Sequence, residues 1–363
     1  MVLTLPSLLL SLLVLPLLSN AASRTSPPSG AIIVRQNTKT TGEFATIQAA
    51  VNSLPSDGSN RSIFIYSGTY SEQVYINRTG ALALYGYTTD TTTYASNAVT
   101  IVHSSSQASG AASDDATGTL RVHKDDFSLY NINVKNSYGQ GSQAAALSAY
   151  GNRMGLYASS FLGYQDTLYA NQGTQVYGKS YIEGAVDFIF GRQGLAYFEG
   201  NTISSIGPGC ITASGRETND TGSYVLNRNT LVLGPTALTG TSGKVFLGRP
   251  WGAKGNIISH PTIESQYLNS RVVFKNTQIG AQASASWDPC LNPALWSVWS
   301  TSDTRTDNVL FATFQNSGPG SSGVTLPSFA TALNASAAAE YTIATAVGSD
   351  WESWVDTNFV TGE

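Results

Sequence analysis

The sequence predicts an all-β fold: a single-stranded right-handed parallel β-helix with a helical cap at its N-terminal end and a C-terminal covering segment. Three observations predict it. Short segments that alternate apolar or aromatic residues with polar ones recur at residues 129–134, 156–161, 176–181, 196–201, 225–230 and 273–278, with first residues 27, 20, 20, 29 and 48 apart. Alternation marks strands, and a period of 20–25 residues is that of a solenoid turn, whereas a sandwich turns every 8–12. Charged residues make up only 12% of the chain, about half the usual share. Small polar residues fill the gap, as the short turns of a solenoid require.

The elements follow in order. Residues 1–22 read as a secretory signal peptide: a leucine-rich stretch lacking a Lys or Arg in front of it, then Ser19, Asn20, Ala21 and Ala22 as a cleavage site. No membrane span is expected, because that stretch is short and nothing downstream is as apolar. Residues 23–363 form one domain. Within residues 44–55, Ile47, Ala50, Val51 and Leu54 lie at helical spacing before Pro55, which predicts an amphipathic cap on the first turn. Residues 332–355 are expected to cover the far end, partly as helix. The 48-residue spacing reads as two periods. The breaks at residues 205–222 and 281–299 read as loops on the binding face.

Net charge is −4 and the pI is near 5.4. There is no basic run, so nucleic acid is not an expected partner. An acidic shell also disfavours a strongly anionic polymer, but tolerates one whose acids are masked as esters. His103, His123 and His260 are scattered, so neither a metal nor another cofactor is expected. Cys210 and Cys290 lie three or four turns apart, which disfavours a disulfide. Sequons at Asn60, Asn77, Asn219 and Asn334 suit a glycosylated, extracellular protein.

Chemistry concentrates in one column. Gln143 is followed by Gln165 and Asp166, and Asp187 lies 21 residues after Asp166. These steps match one turn each, so the side chains should stack on successive strands, with the two carboxylates one strand spacing (~4.8 Å) apart. A close pair of carboxylates provides a nucleophile and an acid/base without a metal. Taken singly, each aspartate is as well explained as a turn former. The apolar sequence around Asp187, YIEGAVDFIFG, argues otherwise, because a desolvated carboxylate needs a cation or a raised pKa. Arg249, in LGRPW, offers a bidentate clamp, and Trp251 beside it offers a surface for a sugar ring. Gln165 and Asp166 are neighbours, so on a regular strand they would face opposite sides; both can serve one cleft only across a bend.

At these residues the chain resembles the pectin methylesterases, or pectinesterases, and their secreted fungal branch in particular. The matching motifs are GTYSE at 68–72, QAAAL at 143–147, GYQDTLY at 163–169, the segment around Asp187, and LGRPW at 247–251, all in family order. The resemblance implies a parallel β-helix that hydrolyses the C6 methyl esters of homogalacturonan and releases methanol. It implies Asp187 as nucleophile, Asp166 as general acid/base, Gln143 and Gln165 as oxyanion donors, and Arg249 as the residue that orients Asp187. Trp251, Tyr169 and Trp287 are candidate sugar contacts. A secreted monomer acting on methyl-esterified homogalacturonan is expected, with no cofactor.

Other readings stay open at this point. Paired carboxylates also serve glycosidases, although no Gly-His-Gly segment of the polygalacturonase kind occurs. A calcium-dependent lyase would want an acidic cluster, and the doublets Asp114–Asp115 and Asp125–Asp126 read as lying outside the column. No Gly-x-Ser-x-Gly elbow is present, which argues against a serine triad. A non-catalytic wall-binding solenoid would have no need of an acid/base pair.

Overall fold

The computed structural model describes residues 22–216, 222–251, 269–280, 294–298, 306 and 308–362. Each turn lays down three short strands, and corresponding strands of successive turns pair in parallel. In the middle of the molecule one turn runs through Met154–Tyr157, Ser160–Leu162 and the first half of Leu168–Gly178. The next uses the second half of that strand, then Tyr181–Gly184 and Ile189–Gly191. Gln193–Glu199, Thr202–Ser205 and Gly209–Ser214 make the turn after it. Three parallel ladders result, the three faces of a right-handed parallel β-helix. Among the described residues no helix is long and apolar enough to cross a membrane.

The core is a continuous stack, because no single turn can bury its own inner side chains. Leu84, Leu129, Leu156, Tyr177, Phe198, Leu226 and Phe274 sit directly on one another along the first face, and all are fully buried. This register corrects the sequence alignment in two ways. Leu156 pairs with Tyr177 and not Val176, and Tyr177 with Phe198 and not Tyr197. Val176 and Tyr197 point outward instead, into a second apolar cluster. The long final step is also a single turn, since Ser223–Asn227 pairs directly with Arg271–Lys275. A solenoid fixes which residues stack and leaves the length of the excursion between them free. The expected loop over 205–222 is corrected likewise: it contains the strand Gly209–Ser214. Most of the 281–299 break lies outside the described residues, with Trp296 bridged to Gly248.

The helix Ile47–Asn52 lies on the first strands and buries Ile47, Ala50 and Val51. Thr46 caps it by accepting the Ala49 N–H (3.2 Å). The Glu72 carboxylate takes the Ile47 and Gln48 N–H groups at 2.8 and 2.9 Å, satisfying two donors that the helix itself leaves open. The C-terminal segment behaves otherwise than expected. It does not close the far end: Ile343, Ala346, Val347, Phe359 and Val360 pack on Tyr157, Val176, Tyr197 and Val225, on the flank of the middle turns. Val324, Leu326 and Phe329 pack against the main core instead, with Phe329 edge-on to Phe311 of a late strand. The physical cause is the outward apolar stripe, which an alternating strand must bury against something.

The corner after the first face repeats one device. Asn131, Ala158, Lys179, Arg228, Asn276 and Gln315 all adopt left-handed backbone there, as does Gly200. Each is followed by a residue that turns inward. Ser159 accepts the Ile132 N–H (3.3 Å), Ser180 the Ser159 N–H (3.2 Å), Asn201 the Ser180 N–H (2.8 Å) and Asn229 the Asn201 N–H (2.9 Å). Asn201 also donates to the Tyr177 carbonyl at 2.9 Å. Every buried polar group of this ladder is thereby paired within the protein, as burial demands.

Candidate active site

Asp166 and Asp187 occupy the next corner, between the second and third faces, on consecutive turns. Gln165 is bridged in parallel to Val186, and the Asp166 N–H donates to the Val186 carbonyl at 3.0 Å, so Asp166 stands directly over Asp187. One turn earlier, the Ala144 N–H donates to the Gln165 carbonyl at 3.1 Å. Gln143, one residue before it, therefore belongs to the same stack.

Both aspartates lie in bends and not on strands, a correction to the sequence expectation. Their φ values are 62° and 51°. Left-handed backbone costs a non-glycine residue on the order of 1–2 kcal/mol, and Asp tolerates it better than most. The bend is what allows neighbouring Gln165 and Asp166 to escape the alternation of a strand.

Asp187 is held from the following turns. Arg249, on the strand Val245–Pro250, donates from Nε to Oδ1 at 2.9 Å and from Nη2 to Oδ2. Gly248 makes this approach possible: a Cβ there would lie 2.1 Å from the Thr212 hydroxyl oxygen. Asp166 and Asp187 are each only 7% exposed. Burial pushes the Asp187 carboxyl above its ordinary value, opposed by the hydrogen bonds and charge of Arg249. Burial pushes Asp166 well above its ordinary value, reinforced by the charges of Asp187 and Asp114 and only weakly opposed by Arg249. The two carboxyls therefore differ in their surroundings: the Arg249 clamp offsets the burial of Asp187, whereas two neighbouring carboxylates add to the burial of Asp166. No side chain among the described residues hydrogen-bonds the Asp166 carboxyl or the Gln165 amide. Ser142 donates to Gln143 Oε1 at 3.2 Å, which leaves the Gln143 NH₂ as its donor.

Aromatic rings flank the carboxylate pair along the third face. Tyr169 stacks on Phe190, with centroids 4.3 Å apart, and Trp251 meets Phe190 edge-on at 5.5 Å. Tyr150 meets Tyr169 edge-on at 5.6 Å and stacks on His123 at 4.5 Å. The structure thus brings Asp187, Asp166, Gln143, Gln165, Arg249, Tyr169 and Trp251 to one region, and Trp287 lies outside the described residues. Sequence reasoning missed Phe190 and Tyr150, although each occupies an outward position one or two turns from Tyr169.

It also set Asp114 aside. An excursion between the second and third faces brings this residue to the site: the Gln107 N–H donates to the Gln143 carbonyl at 3.2 Å, and the Gln107 side-chain amide donates to Asp114 Oδ1. Asp115 is structural, holding Arg121, His123 at 2.8 Å and Ser148 at 2.7 Å. Asn60, Asn77 and Asn334 are exposed, and Asn219 lies outside the described residues. Cys210 is a buried free thiol on the turn beneath Asp187, and Cys290 lies outside the described residues. Among the described residues no group of three His, Cys, Asp or Glu side chains could hold a metal.

Fold and site together define a class: a β-helix protein with a clamped carboxylate pair flanked by aromatic rings. Comparison with known proteins supplies the family. The pectinesterase family model matches residues 31–350. A pectinesterase from Aspergillus niger is 41% identical over 346 residues, covering 94% of this chain and 95% of the relative. One from Aspergillus aculeatus is 42% identical over 348 residues, covering 93% and 95%. The crystal structure of pectin methylesterase from Aspergillus niger superposes with a TM-score of 0.79 at 37% identity, covering 93% of this chain and all of that one. Pectin methylesterase from carrot, at 22% identity and a TM-score of 0.72, shares the fold. The chain belongs to the pectinesterase family and is a carboxylic ester hydrolase.

Proposed function

We propose that this enzyme hydrolyses the C6 methyl esters of homogalacturonan through an aspartyl acyl-enzyme. The observation that carries the reading is the two-point clamp of Arg249 on Asp187 beside a carboxyl, Asp166, whose pKa lies well above the ordinary value. Ionised Asp187 attacks the ester carbonyl carbon. The carbonyl oxygen takes up the charge and is stabilised by the amides of Gln143 and Gln165. Collapse of the tetrahedral adduct breaks the bond to the methoxy oxygen, and Asp166 delivers its proton to that oxygen, so methanol leaves. Asp187 is then an anhydride with the substrate acyl group. Asp166, now a carboxylate, takes a proton from water as the water attacks the substrate acyl carbon. The galacturonate acid departs, Asp187 regains its charge, and Asp166 holds a proton again.

Trp251 and Tyr169 are the proposed sugar contacts, the rings seated beside the carboxylate pair. The same reading takes residues 1–22 as a leader for secretion, residues 23–363 as one catalytic domain, and the enzyme as an extracellular glycosylated monomer. The test is methanol release from fully methylated homogalacturonan by Asp187→Asn. An inactive, folded variant is expected, and turnover near that of the parent would remove Asp187 from the nucleophile role.

A further inference from the structure

A groove lies on the first face, over the early turns, away from the corner that carries Asp166 and Asp187. Its volume is about 600 Å³, within the range of ligand sites. Ser62, Ala83 and Ser128 pair in register on three successive turns and face outward, half-buried, as a floor of small side chains. Tyr85 lines the groove with its ring stacked on Tyr130, centroids 5.0 Å apart, and held by the Arg24 guanidinium at 4.8 Å. Trp354 lines it from the C-terminal segment, where it packs on the outward apolar cluster. The Trp354 indole N–H is buried with no hydrogen-bond partner among the described residues, an unmet donor of the kind a ligand completes.

The charges of this groove cancel locally. Arg153 donates from Nη2 to Asp126 Oδ2 at 2.8 Å and from Nε to Oδ1, and Arg61 meets Asp57 at 3.3 Å. Paired charges, hydroxyls and an aromatic edge suit a neutral, hydroxyl-rich occupant better than an anionic one. The sequence supplies one. Asn60, Arg61 and Ser62 form a sequon, and all three residues line the groove. Asn334 engages its side chain in capping a helix, accepting the Ala337 N–H at 2.9 Å, whereas among the described residues nothing hydrogen-bonds the exposed Asn60 amide. Asn60 precedes Phe64, the register partner of Tyr85, by four residues, about 13 Å of strand. We propose that Asn60 carries an N-linked glycan whose first two sugars fold back into this groove, between Tyr85 and Trp354, and thereby tie the C-terminal segment to the early turns. In the attachment step the Asn60 side-chain nitrogen bonds to the anomeric carbon of a lipid diphosphate-linked oligosaccharide, the diphosphate leaves, and the amide gives up one proton. The covalent tether then holds the sugars at the groove, so weak contacts are enough to dock them. This rests on the extracellular, glycosylated reading above and not on the ester chemistry.

The experiment uses the full chain secreted by a fungal host, with glycan attachment read from peptide masses. Asn60 is expected to be modified. An endoglycosidase that cuts between the first two sugars should release the Asn60 glycan about tenfold more slowly from the native enzyme than from the denatured one, and should show no such difference at Asn77 or Asn334. Asn60→Gln should speed hydrogen exchange of the backbone amides over residues 351–356 about tenfold, the effect of one lost hydrogen bond, and Asn77→Gln should not. Parent and Asn60→Gln made in a bacterial host that attaches no sugar should exchange alike, which separates the glycan from the side chain beneath it. A bare Asn60 beside a modified Asn77 or Asn334 would overturn the proposal, as would release at equal rates from native and denatured enzyme or equal exchange in the two secreted proteins. A secreted chain bare at every sequon would sink the glycosylated reading along with it. Methanol release should be unchanged in Asn60→Gln, and its absence in the parent would sink the esterase reading alone.

Discussion

Two corners of this solenoid use the same backbone for opposite ends. At the first, left-handed residues such as Ala158, Lys179 and Arg228 turn Ser159, Ser180, Asn201 and Asn229 inward, where each accepts a main-chain N–H. At the second, left-handed Asp166 and Asp187 are also buried, yet among the described residues Asp187 is held by one guanidinium and Asp166 by no hydrogen bond of its side chain. The first corner completes its bonding within the protein and stabilises the fold. The second leaves donors and acceptors for a ligand, and burial there raises the pKa of both carboxyls. Satisfied polar groups mark structure, and deliberately unsatisfied ones mark chemistry.

Substitutions should separate the two corners. Removing the nucleophile with Asp187→Asn should cost on the order of 10⁴-fold or more in kcat for methanol release, while the protein still folds with a somewhat lower thermal unfolding midpoint, because Arg249 loses its counter-charge. Arg249→Lys should cost roughly 10²–10³-fold, since a point charge cannot reproduce the two-point clamp, and should also lower stability. Asn201→Ala should do the reverse: kcat stays near that of the parent, and unfolding in denaturant shows a loss of about 2–3 kcal/mol from the unpaired Ser180 N–H and Tyr177 carbonyl. Equal damage to activity and stability from any of these would dissolve the distinction.

The smallest effect is in pH. Asp166 has a folded pKa above its unfolded value, so it favours the native state fully below the unfolded value and loses that contribution as pH rises through the folded one. Asp166→Asn should therefore gain stability over the parent progressively as pH rises from about 4, the ordinary value. Denaturation midpoints measured across that range would show parallel curves if Asp166 titrated normally. Methanol release in the parent should decline on the alkaline side once Asp166 is ionised, and on the acid side once Asp187 is protonated.

Much of the site was legible because a solenoid converts sequence spacing into height. The 21-residue step from Asp166 to Asp187 is one turn, and the register bears this out. Arg249 stood out through its Pro-Trp flank. The bends did not, since left-handed corners here tolerate Ala, Lys, Arg and Gln, and no residue type announces them. Asp114 was hidden because an excursion of free length brings it to the site. The 48-residue step looked like two turns for the same reason: strand pairing constrains the residues that stack and is indifferent to what lies between. The flank position of the C-terminal segment needed knowledge of which strand residues face outward, and a one-residue slip between Val176 and Tyr177 inverts that face.

That flank is tied down by hydrogen bonds as well as by apolar packing. The Asp356 N–H donates to the Tyr157 hydroxyl at 2.9 Å, and the Thr361 N–H and hydroxyl reach Glu199 at 2.9 and 2.8 Å. Residues 343–361 are thus fastened across the middle turns like a strap. In their absence Val176, Tyr197 and Val225 would form a bare sticky seam. A polypeptide clipped ahead of them would carry an assembled cleft on an aggregation-prone body.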